Sequence, residues 1–191
     1  MNPDFLILSR IIRERRAVFP QFYKPGKISK ALLLNILENG IWAPTHKKTQ
    51  PWRFIIIQDE KLVDLSKFLA EHYKSITPEE SFSEQKMIKA SEKPLQSACV
   101  IALCLHRSSE ELIPAWEETA ALSCATQNIW LSASALGIGA YWSTPSAIYK
   151  MNDFLKLKKN EECLGLFYMG WKKEIVLPAE RWDLDKVVRE L

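Results

Sequence analysis

The sequence is poor in the residue patterns from which metal sites, disulfide frameworks and phosphate loops are built. Its three histidines, His46, His72 and His106, never stand at metal-ligand spacing, and neither H-E-x-x-H nor a paired C-x-x-C occurs, so nothing supports a zinc site. The four cysteines, Cys99, Cys104, Cys124 and Cys163, lie apart in apolar company; they are expected to be buried free thiols in a reducing compartment. No G-x-G-x-x-G follows a strand and no G-x-x-x-x-G-K-[ST] exists, since Gly137-Ile138-Gly139 follows a helical pattern and lacks the rest of the fingerprint. The G-x-S-x-G elbow of serine hydrolases is missing as well. The longest unbroken apolar run, Ala98 to Leu105, falls far short of the ~20 residues that a membrane-spanning helix needs. The N-terminal stretch carries neither the basic start nor the small-residue cleavage site of a secretory signal. A net charge of +3, from 26 basic and 23 acidic residues, is too small to indicate nucleic acid or membrane binding, although it suits an anionic ligand. A soluble, cytoplasmic protein is the expectation.

What is present describes one well-packed domain over 1–191: 47% apolar residues, seven Trp, eight Phe, five Tyr, and 26% charge with both signs interspersed. Phe5, Leu8, Ile11 and Ile12 recur at helical spacing, and that helix should close near Arg16. Ser29 is the expected cap of a second helix bearing Leu32, Leu33, Ile36 and Leu37. Trp52 to Ile57 is expected to be a buried strand, followed by a short helix after Asp59. Thr77-Pro78-Glu79-Glu80 has the form of a helix start, with the helix running to about Ala90. The polar stretch 72–96 should be an excursion over some surface. Ala98 to Leu105 is a second expected strand, and Pro114 should open the longest helix, to about Leu136. Small residues on it, among them Ala120, Ala121, Ser123, Ala125 and Ala133, would admit a close neighbour, either from the core or from another subunit. Strands at Ile138 to Trp142 and Cys163 to Met169, with a short helix from Asn152 to Lys159 between them, complete a mixed order that makes the class α+β.

Two clusters carry chemistry. Arg15-Arg16 offers forked donors that match a phosphate monoester, although cations at a helix C-terminus also complement the dipole without any ligand. In "APTHKKTQPWRF", residues 43–54, Pro44 and Pro51 stiffen a short connection that holds Thr45, His46, Lys47, Lys48, Thr49 and Gln50 beside Trp52. Such a loop could bind a flat heterocycle by its polar edge.

The order "RRAV", then "WAPTHKKTQPWRF" entering an apolar strand, resembles the nitroreductase family of FMN-dependent oxidoreductases. "IPAWEETAALSCATQNIWLSASALGIGAYW" is similar to that family's central helix and following strand, and "CLGLFYMGWKK" to its late strand. The resemblance spans nearly the whole chain. It implies an α+β homodimer with a mixed or antiparallel central sheet flanked by helices and FMN at the subunit interface. It further implies ping-pong transfer from NADH or NADPH to an organic electron acceptor such as a nitroaromatic or a quinone. On this reading Arg15, Arg16 and Ala17 match the phosphate-binding segment, and Lys172 or Lys173 the late basic contact. Trp42, Pro44, Thr45, His46, Lys48 and Gln50 fall in the segment that meets the flavin from the other chain, and Ser143, Thr144 and Pro145 in the one that lines its ring. The flavin would carry the chemistry, so no general acid, base or nucleophile is assigned. Two departures stand out: Ala17 lacks the usual serine hydroxyl, and Lys48 stands where many relatives have asparagine. Either Lys48 or His46 would be placed to tune the flavin's potential.

Overall fold

Antiparallel pairing builds the sheet outward from its last strand. The computed structural model describes residues 1–109, 113–174 and 178–191. Six helices, α1 (Pro3–Glu14), α2 (Lys30–Ile41), α3 (Glu60–Ile76), α4 (Glu84–Leu95), α5 (Ala115–Ala135) and α6 (Met151–Leu155), accompany five strands among these residues. The strands are β1 (Tyr23–Lys24), β2 (Trp52–Ile57), β3 (Cys99–His106), β4 (Ile138–Ser143) and β5 (Glu161–Lys172). β5 pairs antiparallel with β3, β4 and the short β1, and β3 pairs antiparallel with β2. The class is α+β, as the mixed order of elements predicts.

The long apolar run in β3 follows from burial on both of its faces. Cys99, Ile101, Leu103 and Leu105 join Leu33 and Ile36 of α2 and Leu122 and Ile129 of α5 in one core. Val100, Ala102 and Cys104 join Leu65 and Leu69 of α3 and Met151 of α6 in the other. The small residues of α5 divide accordingly: Ala121, Ala125 and Ala133 are buried, while Ala120, Ser123 and Cys124 face outward. Cys124 is thus exposed, against the expectation of four buried thiols, because it lies on the outer side of that helix. Burial pushes the Cys99 thiol up to about 12.

Several boundaries differ from the sequence reading for local reasons. Thr77 does not open α4; its hydroxyl turns back to the Tyr73 carbonyl at 2.6 Å, and Glu79–Ser81 forms a single 3-10 turn. Ser83 is the cap instead, its hydroxyl accepting the Lys86 amide at 3.4 Å. The helix after Asp59 is 17 residues long rather than short, and α6 stops at Leu155 because Lys156 is left-handed, with φ 53°. α1 ends at Glu14, so Arg15 and Arg16 follow the helix instead of closing it.

Tyr23 fastens the N-terminal segment to the sheet. Gly139 and Gly170 stand opposite each other in the β4–β5 register, and the Tyr23 ring lies over both. A Cβ on Gly170 would sit 2.5 Å from ring atom Cδ2, and one on Gly139 3.0 Å from Cε1. The buried hydroxyl is 2.8 Å from the Val18 carbonyl and 3.0 Å from that of Tyr168, and burial holds it un-ionised, far above its ordinary range. Replacing Tyr23 by Phe should cost about 1–2 kcal/mol through loss of the buried hydroxyl's hydrogen bond. Gly170→Ala should cost on the order of 1–3 kcal/mol by overpacking. Urea midpoints measure both, and a Gly170→Ala protein with an unchanged midpoint would mean that the ring is not seated there.

Candidate functional site

The first part of the site begins where α1 ends. Arg15 leaves the helix with φ −59° and ψ 129°, and Val18 donates its amide to the Ala140 carbonyl at 2.9 Å, so that Ala17 bridges β4 in parallel. Trp130 of α5 holds this segment from below. Its Nε1 donates to the Arg16 carbonyl at 3.3 Å, and its ring carries the Arg15 guanidinium 4.5 Å from the centroid. Burial lowers Arg15 from the usual arginine value, and the neighbouring charges of Arg181 and Arg16 lower it further. Lys172 and Lys173, at the end of β5, border the start of β4 and the turn before β1. The Lys172 amide donates to the Gly137 carbonyl at 3.3 Å, the Lys173 amide to Phe22 at 2.9 Å, and the Lys173 ammonium to the Gln21 carbonyl at 3.2 Å. An open groove of about 700 Å³ runs beside Lys24, Gly137, Trp171, Lys172 and Lys173.

At the other end of β4, Ser143 is buried, Thr144 is exposed, and Pro145 caps the 3-10 helix Ser146–Lys150. Residues of α3 and α4 close over this end. His72 Nε2 lies 3.3 Å from Ser146 Oγ, and the Lys93 ammonium lies 5.5 Å from the centre of the Tyr141 ring. Between them is a small cavity of about 80 Å³, lined by His72, Lys93, Ser143, Pro145 and Ser146 among others. The excursion expected at 72–96 thus includes the end of α3 and all of α4, packed together beside the exit of β4.

The polar loop forms the third part. Trp42 ends α2 and is 79% exposed, and Pro44, Lys48 and Gln50 are exposed as well. Lys47, Lys48 and Gln50 have φ of 48°, 56° and 44°, left-handed values that cost non-glycine residues on the order of 1–3 kcal/mol each. The Thr45 hydroxyl lies 3.1 Å from that of Thr49 and accepts the Gln50 amide at 3.1 Å. Arg53 donates to the Gln50 carbonyl at 3.0 Å, which ties the loop to β2. His46 Nδ1 is hydrogen-bonded to Glu117 Oε2 in the first turn of α5.

Ala17 thus bridges Ala140 of β4, the Lys172 amide meets Gly137 just before that strand, and Ser143, Thr144 and Pro145 stand at its end. Loop 42–50 stands apart: its contact at Glu117 is thirteen residues from Trp130 on α5, about 20 Å along the helix. Three participants were missed in the sequence. Trp130 is a large apolar residue within a long helix, where core packing is the ordinary role. Arg181 lies in a C-terminal stretch without periodicity, and Glu117 is one of two adjacent acids whose neighbour, Glu118, is buried against Arg107 and the Ser108 amide. No helix among the described residues is long and apolar enough to cross a membrane.

The chain is similar to known proteins along most of its length. The Nitroreductase family model matches residues 12–171. A Bacillus subtilis protein named "Putative NAD(P)H nitroreductase YfhC" is 28% identical over 171 residues, covering 88% of this chain and 86% of its own. An Archaeoglobus fulgidus protein, "Putative NADH dehydrogenase/NAD(P)H nitroreductase", is 24% identical over 95% of this chain and 96% of its own. Among solved structures, a nitroreductase-like family protein from Bacillus cereus superposes with a TM-score of 0.80 at 22% identity, covering 96% of this chain and 95% of that one. A Desulfovibrio desulfuricans protein, described as a putative nitroreductase in complex with FMN, has a TM-score of 0.72 at 24% identity, covering 100% of this chain and 98% of that one. The match runs from the last turn of α1 to the end of β5, and the chain belongs to the nitroreductase family.

Proposed function

We propose that the whole chain works as one FMN-dependent oxidoreductase domain in a cytoplasmic homodimer. It would transfer reducing equivalents from NADH or NADPH to an organic acceptor, such as a nitroaromatic or a quinone, by a ping-pong mechanism. The observation that carries this reading is Arg15 held over the Trp130 ring, where burial and the neighbouring positive charges of Arg181 and Arg16 disfavour its own charge. A partly desolvated guanidinium with like charges near it would be stabilised by an anion, and its forked donors suit a phosphate. Arg16 and the lysines at 172 and 173 would supply further positive charge, and Ala17 would contribute no side-chain donor.

β4 covers five residue steps from Ile138 to Ser143, about 17 Å, so its two ends offer separate positions for the phosphate and the ring. Ser143, Thr144 and Pro145 would line the ring. Bound FMN would supply the hydride chemistry at its N5, and the chain's own residues would bind, orient and shield it. Residues 72–96 would shape the acceptor's approach through His72 and Lys93.

The distance between loop 42–50 and Arg15 supports the dimer, because the loop would complete the partner's site rather than its own. Trp42 and Trp116, exposed at 79% and 69%, flank the loop's contact with α5, and α1 leaves Phe5, Leu6, Ile7 and Leu8 open. A second copy would cover such apolar surface.

Light scattering should give a dimer, and the purified protein should retain yellow flavin bands after FMN addition and desalting. NADH or NADPH should bleach those bands anaerobically, and a nitroaromatic or quinone should restore them. Retained flavin that neither nucleotide reduces would leave a flavin-binding store and remove the enzyme. Arg15→Ala should weaken FMN binding about tenfold, on the scale of a charged hydrogen bond, and Arg181→Ala by a smaller factor. Riboflavin, which lacks the phosphate, should bind both variants as it binds the parent protein. An equal loss for riboflavin would place these arginines away from the phosphate.

A further inference from the structure

Loop 44–51 keeps three left-handed non-glycine residues within one short connection, a geometry that persists where position matters. From it His46 reaches α5, where Nδ1 meets Glu117 Oε2. An ionised carboxylate has no hydrogen to give, so in the neutral form of the imidazole the shared hydrogen sits on Nδ1 and Nε2 carries the lone pair. The His46 side chain is 53% exposed, whereas Glu117 is 21% exposed and sits in the first turn of the longest helix. Glu117 on α5 meets the imidazole, and the other charged groups on the elements packed here are Lys47 and Lys48 in the loop and Arg53 of β2, which binds the Gln50 carbonyl.

We infer that Glu117 is a positioning residue for His46, fixing its ring and tautomer so that Nε2 accepts the N3–H of the flavin held by the partner subunit. The inference rests on the FMN homodimer proposed above. The pyrimidine edge of a flavin carries one N–H between two carbonyl oxygens. A fixed imidazole lone pair matches the N–H, and the Lys48 ammonium, which has donors and no acceptor, matches an adjacent carbonyl. An acceptor and a donor two residues apart on one stiff loop thus read an imide edge. Adenine-type edges, which carry no such donor between carbonyls, would be refused.

The test compares the dimer reconstituted with FMN and with N3-methyl-FMN, which lacks the donor, by flavin fluorescence titration. The parent protein should prefer FMN about five- to tenfold, the scale of one hydrogen bond. His46→Ala and Glu117→Ala should each bring that preference close to one. Glu117→Gln should keep it, since its amide oxygen still accepts from Nδ1–H. Long-range proton–nitrogen correlation of the flavin-free protein gives an independent readout. Nδ1–H should be the dominant tautomer in the parent and in Glu117→Gln, and mixed tautomers should appear in Glu117→Ala. A preference unchanged in His46→Ala would show that the methyl group is excluded by bulk alone and would overturn the inference. So would a Glu117→Ala protein with parental tautomer and preference. A parent protein that binds neither flavin would overturn the FMN reading itself.

Discussion

The seating of one tyrosine ring on two facing glycines governs how the rest of the molecule comes together. Because Gly139 and Gly170 carry no side chains, the Tyr23 ring can lie on the β4–β5 pair, and its hydroxyl then reaches the carbonyls of Val18 and Tyr168. That contact decides the path of residues 15–18, which α1 alone would leave undirected. Arg15 is brought over Trp130 as a result, and Val18 is brought to Ala140. The position of Arg15 is thus set by packing around an aromatic ring, against the repulsion of the neighbouring charges of Arg181 and Arg16.

How much of this was legible depended on the range of the interactions involved. Ser29, Pro114 and Gly137 mark their helices by local hydrogen bonding and backbone preference, and the elements they bound match the sequence reading. The apolar strands were legible because burial on both faces leaves continuous runs. Thr77-Pro78-Glu79-Glu80 misled because a threonine hydroxyl can serve the preceding helix as readily as the following one. Strand β1 escaped notice because two residues show no alternation and pair only with the distant end of β5.

The candidate site was legible in its flexible-looking parts and hidden in its supports. Arg15, Arg16, His46 and Lys172 attract attention as charged residues in unusual company. Trp130, Glu117 and Arg181 give no such signal, since an indole in a long helix suggests core packing and an acid in its first turn suggests a favourable dipole contact. Each acquires meaning only when a segment far away in sequence is laid against it. Supports of this kind are what hold binding groups in place, because a side chain anchored at one atom presents the other with little remaining freedom.

The arrangement of β5 has a consequence for how the protein is made. It is the last strand in sequence, yet it lies between β3 and β4 and also pairs with β1 near the N-terminus. During synthesis, the β2–β3 pair and its two prospective cores must therefore wait, with one edge of β3 open, until nearly the entire chain has left the ribosome. Pairings of such long sequence separation fold slowly and expose apolar strand edges in the meantime. Truncation before residue 161 would leave more than an incomplete enzyme: it would leave a nascent chain whose most apolar strand has no second neighbour, and whose fate is governed by chaperones and aggregation.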